Sequence, residues 1–219
     1  MSYFINEDST NLDYLQARLE ATDLIPSLQP LLNDLTEKLG ALKKTGVKSL
    51  ADLRIRLKTK RSLASLGEDS GIDTSYLVLL RRAIEGFFPK PPPLKVFNWL
   101  NKETIAKLDQ AGIKNTQQLY EAGSSGIDKL AKNTKLEKED LSEFLALSDL
   151  SRIQWVSPTF ARVLTAADLA SAAMVAAANP EALYTALIRA NDNARFYKGK
   201  VGLRDIKRLI AAAAYVPVG

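Results

Sequence analysis

Apolar residues along this chain recur at helical spacing, and the pattern itself repeats. The stretch FNWLNKETIAKLDQAGIKNTQQL, residues 97–119, lies without a gap on IQWVSPTFARVLTAADLASAAMV at a shift of 56. Leu108, Ile113 and Leu119 then fall on Leu164, Leu169 and Val175. An earlier stretch, LGALKKTGVKSLADL, fits at a shift of 66 and puts Leu42, Val47 and Leu53 at the same places. Ser49, Asn115 and Ser171 coincide in this register, and all three are favoured helix N-caps. Ser49 with Asp52 and Asn115 with Gln118 have the spacing of a capping box. Each copy predicts a helix ending near its leucine, a short turn with one buried aliphatic residue, and a capped second helix. A second pattern, Ile72, Leu77 and Leu80, returns as Leu136, Leu141 and Phe144 and again as Val201, Ile206 and Leu209. It predicts one buried residue ahead of a helix and two on its face.

No stretch alternates apolar and polar residues for long, so the expected class is all-α with no sheet. Ahead of the repeats, Leu12, Tyr14, Leu15, Leu19 and Leu24 line one helical face, which Pro26 breaks. The stretch FFPKPPPLKV, residues 87–96, reads as extended polyproline II. The expected organisation is a helical arm at 1–32, a first unit at 33–88, a proline-rich linker at 89–93, a second unit at 94–150 and a third at 151–219 with an inserted basic loop. Phe87, Phe88, Leu94 and Phe97 around the prolines equally fit a segment packed into one domain.

The run L-x-x-A-G-I-K-N-T-x-x-L, the Trp-led hairpins and the segment SDLSRIQWV resemble tandem helix-hairpin-helix repeats of the SAM-like kind. More closely, from about Leu94 to Val216, they resemble a bacterial helical family of unknown function, number 4332. The resemblance implies helical hairpin units and a link to nucleic-acid phosphates, which such hairpins grip through a Gly-aliphatic-Gly turn and the next helix N-terminus. Here the equivalent turns are Trp99-Leu100-Asn101-Lys102 and Trp155-Val156-Ser157-Pro158, and neither contains glycine. Asn101 and Ser157 suit the cap of the next helix and Pro158 its first position, so side chains take the N–H groups a phosphate would use. The hairpins then read as structural. Trp99 and Trp155 are expected at equivalent core positions. Gly46, Gly112, Gly71 and Gly126 are expected as left-handed C-terminal caps, with Asp168 standing at the third copy.

Composition narrows the chemistry. The 219 residues include no cysteine and no histidine. That removes disulfides, thiolate zinc sites, cysteine nucleophiles and the usual general base. Carboxylates are scattered without a repeated pair. The expectation is a non-enzyme with no cofactor and no metal. The acidic start has no apolar signal core and no run reaches the roughly 18 residues of a membrane span, so a cytoplasmic protein without a membrane partner is expected.

The net charge of +5 resides in the last third, where residues 151–219 carry nine Lys and Arg against four Asp and Glu. Arg195, Lys198, Lys200, Arg204, Lys207 and Arg208 gather there with Phe196 and Tyr197 among them, a mixture suited to tracking a phosphate backbone and stacking bases. A second basic zone holds Arg54, Lys58 and Arg61, which share one face at helical spacing. The expected function is non-catalytic binding of DNA or RNA with low sequence specificity. The alternative is a scaffold of helical hairpins for a protein partner.

Overall fold

The computed structural model describes residues 2–217, without the side chains of Asn193 and Ala194. Met1, Val218 and Gly219, the outer ends of the expected 1–32 and 151–219 segments, lie outside the described residues. The described residues are helical, with no strand among them and one isolated antiparallel bridge between Pro93 and Asn115. The chain forms two compact units. One is Ile5–Phe88; the other joins Pro89 onward with the first residues up to Phe4.

The Ile5–Phe88 unit contains α1 (Leu12–Ala21), a 3-10 segment (Pro26–Leu32), α2 (Leu35–Lys44), α3 (Leu50–Leu57), α4 (Lys60–Ser70) and α5 (Thr74–Glu85). Leu12, Leu15 and Leu19 of α1 are buried in one core with Leu39, Leu42, Leu53 and Leu77. Pro26 opens the 3-10 segment rather than ending all helical structure, because its fixed φ suits a first helical position. Tyr14 is only partly buried; Arg18 is buried instead, its guanidinium 3.6 Å from the Phe87 ring centre. Tyr76 is buried and its hydroxyl donates to the Leu31 carbonyl.

The other unit contains a 3-10 turn (Leu94–Val96), α6 (Lys102–Gln110), α7 (Thr116–Gly123), α8 (Ile127–Thr134), α9 (Lys138–Leu150), α10 (Pro158–Ala166), α11 (Ala172–Ala176), α12 (Pro180–Ala194) and α13 (Leu203–Ala214). One core runs through it, from Leu94 and Phe97 to Ala213. The expected second and third units therefore share their interior. The proline segment is tied into this unit: Leu94 N–H bonds to Lys114 O at 2.9 Å and Thr116 N–H to Pro92 O at 3.0 Å. It is a packed edge and not a free spacer.

The three aligned turns share one hydrogen-bond pattern. Val47, Ile113 and Leu169 each donate to the carbonyl five residues back, on Leu42, Leu108 and Leu164. Gly46, Gly112 and Asp168 each donate three residues back and hold φ at 88°, 81° and 62°. This is the glycine-type helix stop that satisfies the last carbonyls of a helix while an aliphatic residue closes over it. Ser49, Asn115 and Ser171 then cap α3, α7 and α11 as their residue types require. Gly126 departs from expectation. It has φ 102° but stands at the N-terminus of α8, so it opens a helix and does not close one.

Arg152 and Tyr3, neither marked by the repeats, close this unit. Tyr3 is buried; its hydroxyl bonds to Thr116 Oγ1 at 2.8 Å and its ring meets Tyr120 edge-on. Arg152 Nε donates to the Tyr3 carbonyl at 3.0 Å and its guanidinium pairs with Asp149. Burial pushes the Tyr3 phenol far above its ordinary range.

Two measurements follow from these contacts. Nothing lies within 4 Å of a Cβ added at Gly112, so Gly112→Ala meets only backbone strain. It is expected to cost about 1 kcal/mol, and Asp168→Gly to gain about 0.5 kcal/mol, both read by urea denaturation. Burial raises the Tyr76 phenol from 10.0 to about 12, with the Asp34 charge adding to it. Its contribution to stability is whole below pH 10 and falls as pH rises from 10 toward 12, where only the unfolded chain ionises. Urea midpoints measured across that window are expected to drop less steeply in Tyr76→Phe.

Candidate nucleic-acid interface

The basic loop begins where α12 stops. Arg195 takes a left-handed conformation, φ 51°, and its N–H bonds to Asn191 O, ending the helix. Asn191 then clips the loop. Its Nδ2 donates to the Tyr197 carbonyl and its Oδ1 accepts from the Tyr197 N–H, both at 2.8 Å. The Tyr197 ring meets Phe160 of α10 edge-on at 5.2 Å. Gly199 lies under that ring; a Cβ there would come within 2.5 Å of Tyr197 Cε1. Asp205 accepts from Gly202 N–H at 2.9 Å and starts α13. The loop is thus fixed at its entrance, middle and exit.

This anchoring separates the candidate residues. Phe196 and Tyr197 are partly buried against the core, so their rings serve packing, and base stacking by them is not what the geometry offers. Arg195, Lys198 and Lys200 are exposed, and no carboxylate partner is found for them among the described residues. Arg204 is exposed as well. Lys207 lies 3.7 Å from Glu181, and Arg208 lies 3.9 Å from Asp205.

In the Ile5–Phe88 unit the second basic zone does not form the expected helical face. Arg54 lies in α3, Lys58 is its C-cap and Arg61 lies in α4. Thr59 breaks the run because its hydroxyl caps α4 and pairs with Ser62 in a capping box. Arg54 is also engaged. It bonds to Glu85 at 2.8 Å, pairs with Glu7 and stacks on Phe88 at 4.1 Å. Hydrogen bonding to Glu85, with Glu7 adding, pushes its pKa further up against the effect of burial. The adjoining 590 Å³ cleft is lined by Glu7, Asp8 and Glu85 together with Arg54, Lys58 and Arg81, so it carries no excess positive charge. Lys58 and Arg61 remain exposed.

The hairpin turns keep their N–H groups for themselves. Ser157 accepts from Phe160 N–H at 3.2 Å with Pro158 at the first helical position, and Asn101 accepts from Glu103 N–H at 2.8 Å. The two tryptophans are not equivalent, contrary to expectation. Trp99 is partly buried, edge-on to Phe97 at 5.4 Å. Trp155 is 50% exposed. Its φ of 70°, in a turn closed by Val156 N–H on Ile153 O, turns the side chain outward.

Arg162 has no counterpart in the expected site. It is the sole charged residue of α10, PTFARVLTA, and stands 4.7 Å from the Trp99 ring centre and 3.8 Å from that of Phe196. A single cation in an otherwise apolar and neutral helix is the signal that marks it. Among the described residues no group of acids gathers in a way that would hold a metal ion, and no helix is long and apolar enough to cross a membrane.

A family model described as a domain of unknown function (DUF4332) matches residues 100–216. No curated protein and no solved structure matches the chain.

The engagement of Arg54 sets a prediction. Arg54→Ala is expected to lower stability by about 1 kcal/mol in urea denaturation, a modest figure because its ion pairs are partly solvated. Its affinity for labelled DNA is expected to stay within about twofold of wild type, since this guanidinium is already spent on two carboxylates.

Proposed function

The chain belongs to the DUF4332 family, whose description states no activity, and we propose from its own residues that it is a non-catalytic nucleic-acid-binding protein with low sequence specificity. The carrying observation is the loop after α12. Arg195, Lys198 and Lys200 stand exposed on a backbone held by Asn191 and by the Tyr197–Phe160 contact. Cations presented without carboxylate partners, on a loop already ordered, draw phosphates with little further ordering cost. The specificity is low because lysine heads address phosphate charge and not base edges.

In this reading the turns at Trp99 and Trp155 are degenerate helix-hairpin-helix turns. Their capping side chains have replaced phosphate as acceptor, and binding has moved to the basic loop. A second reading, a scaffold for a protein partner, draws on the 760 Å³ groove lined by Ala166, Ala167, Ala182, Ala186 and Ala190. The charged rim of that groove, Asp168, Glu181 and Arg189, makes it less suited to an apolar helix than the loop is to phosphate.

Fluorescence anisotropy of labelled duplex and single-stranded DNA and RNA decides between them. The expected result is micromolar binding at low salt. Neutralising three phosphates on a duplex gives a slope near −2.7 in log K against log salt, a loss of roughly fortyfold between 50 and 200 mM. Replacing Arg195, Lys198 and Lys200 together by Glu is expected to abolish binding. Absence of binding to every strand type at low salt overturns the proposal and leaves the groove as the surface to pursue.

A further inference from the structure

Two aromatic rings from distant parts of the sequence close on one arginine. Trp99 comes from the turn before α6 and Phe196 from the basic loop, and both face the guanidinium of Arg162 on α10, at 4.7 and 3.8 Å. Ring faces offset the positive charge of a guanidinium without consuming its five N–H donors. At Arg54, Arg81 and Arg152 the donors are used within the fold. Arg54 gives to Glu7 and Glu85, Arg81 to Leu57 O, and Arg152 to Asp149, Tyr3 O and Pro217 O. For Arg162 no accepting carboxylate or carbonyl occurs among the described residues. The residue is partly exposed, and two ring faces lie against its planar fork.

A planar guanidinium held against aromatic faces keeps its N–H edge available for a planar pair of oxygens, the geometry of bidentate phosphate recognition. The neighbourhood has the matching charge. Phe196 is preceded by Arg195 and followed two residues later by Lys198, both exposed. Phe160, two residues before Arg162, holds Tyr197 and so keeps the loop beside it.

We propose that Arg162, clamped between Trp99 and Phe196, is a seat for a phosphate oxyanion. The phosphate is a backbone phosphodiester of the nucleic acid that Arg195, Lys198 and Lys200 attract. The identity of that source rests on the nucleic-acid reading above; the anion chemistry of the seat does not. Arg162 fixes where one phosphate sits, while the loop cations supply long-range attraction.

Trp99 is the reporter. Trp155→Phe leaves it as the single tryptophan, and its emission is followed while a short oligothymidylate or inorganic tripolyphosphate is added. Anisotropy of a labelled oligothymidylate is read in parallel. Arg162→Met keeps an unbranched side chain between the rings, and Arg162→Lys keeps the charge without the fork; a thermal melt of each verifies folding. The expected result is a change in Trp99 emission with both ligands and about tenfold weaker oligonucleotide binding in Arg162→Met. Arg162→Lys should recover only part of that loss. Should Arg162→Met unfold, Arg162→Lys carries the comparison, and wild-type affinity in it overturns the seat. Wild-type affinity and an undiminished emission change in Arg162→Met likewise overturn it; if the triple loop variant still abolishes binding, the nucleic-acid reading stands without it. A tripolyphosphate response that needs Arg162, with no binding to any strand, supports the seat and overturns nucleic acid as its source. No emission change with either ligand overturns the seat.

Discussion

The buried ion pair of Arg152 and Asp149 is the constraint on which the unit bearing the basic loop depends. A guanidinium taken out of water costs several kcal/mol unless its nitrogens find acceptors. Each of the three nitrogens of Arg152 has one. Its Nε serves the Tyr3 carbonyl, one Nη serves Asp149 and the other serves the Pro217 carbonyl, while its face covers Tyr120 at 4.1 Å. Asp149 in turn uses its second oxygen to accept from Ala172 N–H at 2.7 Å. One charge pair thereby joins both ends of the chain, the close of α9, the face of α7 and the start of α11. Removing Asp149 would strand the buried guanidinium of Arg152, a loss on the order of 3–5 kcal/mol.

From this hub the site is built outward along the chain. Arg152 is held one turn before Trp155, whose left-handed φ of 70° is costly for a residue of that size and persists because both sides of the turn are fixed. The turn aims α10, and α10 carries Phe160 and Arg162 two residues apart. Phe160 receives Tyr197 and Arg162 receives Phe196, so the loop's aromatic pair is set by one helix. The exposed Arg195, Lys198 and Lys200 take their positions from that pair. Cation placement is thus a packing outcome, and order in the loop follows from the core beneath it.

How much of this is legible in the sequence depends on the range of each interaction. The stops after Leu42, Leu108 and Leu164 and the caps at Ser49, Asn115 and Ser171 are local, and residue type at fixed spacing predicts them. The buried Ile72, Leu77 and Leu80 and their later counterparts, except Val201, which is only partly buried, are equally readable from periodicity. The break between Lys58 and Arg61 escapes helical spacing because a Thr59–Ser62 box is a weak signal inside a basic run. Trp155 escapes because backbone handedness, not hydrophobicity, turns it outward. Arg152 with Tyr3 lies beyond any local pattern, for the two are 149 positions apart. The Trp99–Arg162–Phe196 stack is likewise assembled from three distant segments.

On the proposed nucleic-acid reading, the caps also explain why recognition would fall to side chains. A helix N-terminus can hold an anion only while its first N–H groups are unclaimed. In this chain Asn101 and Ser157 claim them at the two hairpin turns, and Ser49, Asn115 and Ser171 claim them at the helices that follow the stops. At these five termini a backbone donor is therefore spent on stability. What those turns leave for a polyanion is charge at the end of a side chain. Lysine supplies that as a mobile point charge and confers attraction without position. Arginine supplies position as well, provided something orients its plane without occupying its edge. Carboxylates fail that test, because they take the N–H groups, as Glu7 and Glu85 do at Arg54. Aromatic rings pass it: Arg162 lies against two of them, and unlike Arg152, which also faces Tyr3 and Tyr120, it gives no N–H to a carboxylate or carbonyl among the described residues.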